Sequence, residues 1–308
     1  MSHIEHILVA TDFSLSAGRA VERAALVAHQ HRAKLHLLHA MPVVNWQMFG
    51  RVLIEHPLVT EAQLLESVRE RLKHLADVLH EHYGVPLQHQ VCIGRAHEQI
   101  IKYAQSHPID LTVLGAHGEN FVRDLFVGAT AMKVLRKTVH PTLIVRSEVT
   151  KTERYRDILV PVDFSDASRL ALEEAAGIAT QAAIHVLHVY EVEFEGRMLY
   201  AGIGENVIQQ YRDAAAQEAR RMMDEFVAMT EGRERMSSII RHGHPARTII
   251  DQAQALRADL VVMGKRGRSE LDELLLGSVT KHVLDEIDRD LLLVVPSASG
   301  ISVSKGRN

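Results

Sequence analysis

Gly264, Gly267 and Gly277, followed by Ser278, follow a G-x2-G-x9-G-S pattern, and Lys265, Arg266 and Arg268 stand among them. Glycine has no Cβ, so the backbone at such positions can approach a ligand closely. A helix starting just after Gly277 would add amides with no partner inside the helix, together with the positive end of its dipole. Ser278 would contribute a hydroxyl donor and the basic side chains positive charge. That combination is suited to holding a phosphate-like anion. Asp163, closing the apolar run Ile158-Leu-Val-Pro-Val162, is a second chemical feature: it can accept hydrogen bonds from a ligand or cap the helix that follows. Each element has a plainer reading as well, since two glycines mark many turns and basic side chains are usually solvated.

The pattern gains weight because it is written twice. Gly115, Gly118 and Gly128 precede Gly264, Gly267 and Gly277 by 149 residues each (264−115, 267−118, 277−128). The run Asp110-Leu-Thr-Val-Leu-Gly115 returns as Asp259-Leu-Val-Val-Met-Gly264, and Ile7-Leu-Val-Ala-Thr-Asp12-Phe-Ser14 as Ile158-Leu-Val-Pro-Val-Asp163-Phe-Ser165. This period far exceeds the 20–50 residues of solenoid repeats, so the chain reads as a duplicated domain, 1–147 and 153–297, joined by the polar stretch Ser147–Arg156. A chain of 308 residues agrees with two domains.

The elements that must position these residues alternate between strand and helix. In the first half, short apolar runs at Ile4–Ala10, Lys34–Ala40, Leu87–Ile93, Asp110–Leu114 and Thr142–Val145 predict strands. Between them lie a helix begun by Asp12-Phe-Ser14-Leu-Ser16, the amphipathic stretch Thr60–Tyr83 closed by Gly84, Ala96–Ser106, and Thr130–Lys137. The second half repeats the order through Asp157–Val162, Ser165–Thr180, Ala183–Val189, Glu205–Met229, Met236–Arg241, Ala246–Leu256, Leu260–Met263, Val279–Ile287 and Leu291–Val295. Near-continuous apolar strands suit a parallel sheet covered on both faces. The predicted fold is α/β, two tandem doubly wound domains, each a five-stranded parallel sheet with helices on both faces, flavodoxin-like in layout and with strand order 3-2-1-4-5. In such sheets ligands bind beyond the carboxyl ends of the strands, where both Asp163 and the Gly264–Ser278 segment fall.

Composition narrows the function. A net charge of −4 without a basic cluster argues against a nucleic-acid partner, and no apolar run reaches the length of a membrane span. The first residues lack a signal-peptide layout, and Cys92 is the single cysteine, so a cytoplasmic protein is expected. The 20 histidines include the pairs His29/His31, His80/His82 and His242/His244, but neither HExxH nor CxxC accompanies them, and no metal site is predicted. His36/His39 and His185/His188 lie three apart in strands and therefore point to opposite faces. No P-loop and no G-x-S-x-G elbow is present. Asp272 and Glu273 could be imagined on a Mg2+ ion but read as solvated. The segments Pro42–Val59 and Tyr190–Gly204, each following the second strand, differ strongly; Met41, Trp46, Met48 and Phe49 make the first apolar enough for a lid or contact, although a surface loop is the plain alternative.

The G-x2-G-x9-G-S/T pattern closing a unit that opens I-L-V-x-x-D-F-S resembles the universal stress protein family, in its tandem form. The resemblance implies an ATP-binding stress-response or signalling module, with or without Mg2+, and with no required catalytic residue. In ATP-binding members of the family the glycine loop holds phosphates and ribose, the strand-one aspartate lies by the adenine and ribose, and a small apolar residue ending strand two packs on the base. On this chain those positions are Pro161, Val162, Asp163, Val189, Met263, Gly264, Arg266, Gly267, Gly277, Ser278 and Val279. The first copy departs: Ala129 replaces the hydroxyl residue, and Gly115-Ala-His117-Gly118-Glu119 lacks the basic side chains. Nucleotide is therefore expected mainly in the second domain, with weak or absent binding in the first, where Asp12, Gly115, Gly118 and Gly128 mainly keep fold geometry. The resemblance also implies pairing of the two domains as a pseudo-dimer through Thr142–Val145 and Leu291–Val295, with a homodimer and an unnamed protein partner as further prospects. The enzymatic alternative is a slow ATPase, or autophosphorylation at Ser278.

Overall fold

Asp110 and Asp259 show how the duplicated motif builds the same fold twice. Asp110 Oδ2 accepts the N–H groups of Glu5 and His6 at 2.8 and 2.9 Å, and Asp259 Oδ2 those of Arg156 and Asp157 at 2.7 and 3.1 Å. Each aspartate thus ties the start of its domain's fourth strand to the start of its first. A computed structural model describes residues 4–43, 61–117, 127–146, 154–267 and 276–295. The chain divides into two units, His3–Glu153 and Arg154–Asn308.

The first unit contains the parallel strands β1 (His6–Ala10), β2 (Lys34–Met41), β3 (Leu87–Ile93), β4 (Leu111–Gly115) and β5 (Thr142–Val145), in the order β3-β2-β1-β4-β5. Ile7 pairs with both Leu35 and Leu111, which fixes β1 at the centre. Helix α1 (Leu15–His31) begins at Ser14, whose Oγ accepts the Ala17 N–H at 3.2 Å, and ends at Arg32 in a left-handed conformation. Helix α2 (Glu61–Tyr83) buries Leu72, Ala76, Leu79 and Tyr83, one residue per turn, and stops at Gly84 with φ of +65°. Helices α3 (Ala96–Ser106) and α4 (Ala129–Lys137) pack on each other, as α1 packs on α2. Right-handed crossovers place one pair on each face of the sheet.

The second unit repeats this order with β6 (Asp157–Pro161), α5 (Asp166–Ile178), β7 (Ala183–Tyr190), α6 (Glu195–Tyr200), α7 (Glu205–Ala228), β8 (Met236–His242), α8 (Pro245–Ala255), β9 (Leu260–Gly264), α9 (Ser278–Glu286) and β10 (Asp290–Val294). Its strand order is β8-β7-β6-β9-β10, the same 3-2-1-4-5 scheme. The core is the apolar centre of the strands. Ile158, Leu159 and Val160 have no exposed surface, nor do Leu260, Val261 and Val262. Burying such a side chain contributes about 1.5–3 kcal/mol.

One local expectation needs correction. The stretch Tyr190–Gly204, whose sequence reads as a loop, contains the six-residue helix α6. Glu195 at its start is held by Arg212 of α7 and by His242 at the end of β8, the latter at 2.7 Å. These charged contacts from sequence-distant residues stabilise a helix too short to form alone. Trp46, Met48, Phe49, Gly118, Glu119, Arg268, Asp272 and Glu273 lie outside the described residues. Among the described residues no helix is long and apolar enough to cross a membrane.

Candidate functional site

Strand β6 ends at Pro161, and the next four residues turn the chain into α5. Phe164 takes φ of +63°, unusual for a residue with a bulky side chain, and its ring rests on His188 with centroids 4.3 Å apart. The turn brings Ser165 back toward Asp163, whose Oδ1 accepts the Ser165 N–H at 3.1 Å and the Ser165 hydroxyl at 2.5 Å. Ser165, not Asp163, is the helix N-cap, accepting the Ser168 N–H at 3.2 Å. The capping alternative for Asp163 is therefore replaced by a supporting role: it orients the residue that caps. Its Oδ2 sits against the glycine loop, because a Cβ built on Gly267 would lie 2.8 Å from it.

His188 on β7 reaches across to the same corner. Its Nδ1 lies 2.8 Å from the carbonyl oxygen of Val162. A carbonyl can only accept, so this nitrogen carries the proton. His39 makes the identical contact with the Thr11 carbonyl at 2.8 Å in the first domain. These histidines join the ends of the first and second strands, which explains their recurrence in the sequence. Among the described residues no three His, Cys, Asp or Glu side chains converge to hold a metal ion.

Beyond β9 the chain leaves the sheet and returns to it. The Lys265 N–H donates to the Val294 carbonyl at 2.9 Å, and the Gly277 N–H donates to the Lys265 carbonyl at 3.0 Å. The first domain repeats both bonds, Ala116 to Val145 at 3.1 Å and Gly128 to Ala116 at 2.7 Å. Gly277 is the N-cap of α9, which has no side-chain cap. The amides of its first turn therefore have no acceptor within the helix. Thr280 locks the helix start to the strand by donating its hydroxyl to the Gly264 carbonyl at 3.1 Å.

These pieces enclose a cleft of about 340 Å3 at the carboxyl end of the second unit's sheet. Small-molecule sites span roughly 300–1,000 Å3. The β6 end supplies Pro161, Val162 and Asp163, and β7 supplies Val189. Met263, Gly264, Arg266 and Gly267 come from β9 and its loop, and Gly277, Ser278 and Val279 from the start of α9. The eleven positions carried over from the family resemblance thus meet around one space. The cleft also includes Ser168, Leu187, His188, Pro245, Ile249 and Thr280. Pro245 and Ile249 enter from the first turns of α8, which carry no glycine-loop signature; their one-turn spacing at a helix start was the only available signal.

Lys265 corrects the sequence reading. Expected as a positive charge beside the loop, it is only 2% exposed and does not line the cleft. Burial, and then the neighbouring Arg266, push its pKa down to about 8. Its counterpart Ala116 is equally buried, so the position faces inward in both domains. Arg266 is the basic side chain that borders the cleft among the described residues.

The sequence pattern of the Universal stress protein family matches residues 3–146 and again 154–295. The chain belongs to that family and carries two of its domains. It is similar to a universal stress protein of Mycolicibacterium smegmatis, 24% identical over 309 residues, covering 94% of this chain and 97% of the relative. A universal stress protein of Methanocaldococcus jannaschii is 30% identical over 153 residues, covering 46% of this chain and 94% of that one. The crystal structure of a universal stress protein from Archaeoglobus fulgidus superimposes with a TM-score of 0.66 at 19% identity, covering 96% of this chain and 99% of the other, and supports the fold.

Proposed function

We propose that this protein is an adenine-nucleotide-binding stress or signalling module whose second domain holds ATP, with or without Mg2+. The observation that carries the reading is the meeting of the uncapped start of α9 with the Gly264–Gly267 corner and Asp163 around one cleft. The first-turn amides of α9, which have no acceptor within the helix, and Arg266 are suited to phosphate oxygens. Asp163 stands where a ribose or base could be received, and the apolar walls of Val162, Leu187, Val189 and Ile249 suit a flat base. Nucleotide held between the Gly264–Gly267 corner and the start of α9 alters a surface read by a protein partner in the cytoplasm. The first domain holds nucleotide weakly or not at all in this reading, because Ala129 provides no hydroxyl where Ser278 does.

Denaturing the purified full chain and identifying what it releases tests this directly. One adenine nucleotide per chain is expected, and none from Ser278→Ala. A chain that releases none, and shows no heat on titration with ATP, would overturn the proposal. Single-turnover incubation distinguishes the module from a slow ATPase: bound ATP persists for hours in the former.

A further inference from the structure

Ser16 and Ala167 hold the same place, two residues beyond the N-caps Ser14 and Ser165 of the helices that follow each domain's first strand. Both press against the end of the fourth strand. A Cβ added at Gly115 would lie 2.7 Å from the Ser16 carbonyl oxygen and 2.8 Å from its Oγ, and one added at Gly264 would lie 3.0 Å from the Ala167 methyl group. The two corners are equally close-fitting and differ by one oxygen. In the first domain that oxygen is engaged, since Ser16 Oγ accepts the His117 N–H at 3.1 Å. The counterpart of His117 is Arg266. Among the described residues no atom accepts the N–H of Arg266 or of Gly267, and both residues line the cleft.

We propose that this position decides which domain accepts an anion. Ser16 is a resident acceptor that satisfies the loop amide of the first domain, and Ala167 leaves the equivalent amide of the second for an oxygen of the nucleotide phosphates. The inference rests on the nucleotide reading above and sharpens it. A ligand oxygen seeking that amide in the first domain would have to displace the serine oxygen from it. This discrimination is separate from the missing hydroxyl at Ala129, because it acts at the other end of the loop.

The test uses the full chain and two readouts. Hydrogen exchange on ligand-free protein needs no nucleotide: Ala167→Ser slows exchange at Arg266, and Ser16→Ala accelerates it at His117. Calorimetric titration with ATP follows. Loss of one hydrogen bond to a charged group weakens binding about 10- to 150-fold, and that loss is expected for Ala167→Ser. Ala167→Cys adds similar bulk with a much weaker acceptor and retains affinity within about three-fold of the wild type. Unchanged exchange at Arg266 in Ala167→Ser, or equal loss of affinity in the serine and cysteine variants, overturns the proposal. If the wild type takes up no ATP, the nucleotide reading falls, while the exchange data still decide whether the serine closes its corner.

Discussion

His36 Nε2 lies 3.0 Å from His6 Nδ1, and His36 Nδ1 lies 2.9 Å from the Tyr103 hydroxyl. The Tyr103 ring is stacked on His107 at 3.8 Å. In the second domain the equivalent His185 has Nε2 3.1 Å from the Asp157 carboxylate and Nδ1 2.9 Å from the Ser237 hydroxyl. One domain thus faces its strand-two histidine with an imidazole, and the other with a carboxylate.

The first domain is therefore expected to be acid-labile. Burial, followed by His6, Lys34 and His107, lowers the His36 pKa from 6.5 to about 4. The neutral ring is favoured in the folded state, so between about pH 6.5 and pH 4 the unfolded chain binds more protons. Stability is complete above pH 6.5 and falls as pH drops toward 4, by up to about 3 kcal/mol. His6→Asp, which copies Asp157, should flatten this slope. Urea unfolding of both proteins at about pH 7 and about pH 4.5 provides the comparison; equal acid losses would remove His36 as the cause.

Lys265 predicts a slope at the other end of the scale. With its pKa lowered from 10.5 to about 8, the folded state releases this proton first, so stability rises between about pH 8 and 10.5. Lys265→Met should stabilise the protein at pH 7 by about 1–3 kcal/mol and abolish that rise. Thermal unfolding from about pH 7 to about pH 10 is the check, with nucleotide release unchanged, since Lys265 does not line the cleft.

Two glycines of the first domain should respond in opposite directions to alanine. At Gly115 the new methyl would sit 2.7 Å from a backbone oxygen of Ser16, which has to move, at a cost of about 1–3 kcal/mol. At Gly18, inside α1, nothing lies within 4 Å, and alanine should add about 0.5–1 kcal/mol of stability. Denaturant midpoints for the two variants test the contrast.

Gly267→Ala should damage the site more than the fold. Its methyl group would meet Asp163 Oδ2 at 2.8 Å, and Asp163 cannot turn freely while Oδ1 is bonded to Ser165. Reduced nucleotide content, with an unchanged melting temperature when both proteins are compared free of nucleotide, is the expected result. A variant that keeps its full nucleotide content would show that Asp163 and the loop need not be in contact.

The doubled α/β architecture, the parallel strand order and the strand ends at which chemistry could sit were all legible in the linear chain. Periodicity and glycine spacing are local properties, and the repeat let each copy check the other. Asp163, the glycines and Ser278 could be picked out because backbone approach at a strand end leaves a fixed spacing, whereas Val189, Met263 and Val279 came with the family resemblance. Three outcomes came only with the folded molecule: Lys265 turns inward, α6 forms, and Ser16 closes a corner which Ala167 leaves open. They depend on which atoms converge from residues as far apart as Ser16 and His117, or Glu195 and His242. Burial and hydrogen-bond satisfaction are set by such meetings, and no linear spacing encodes them.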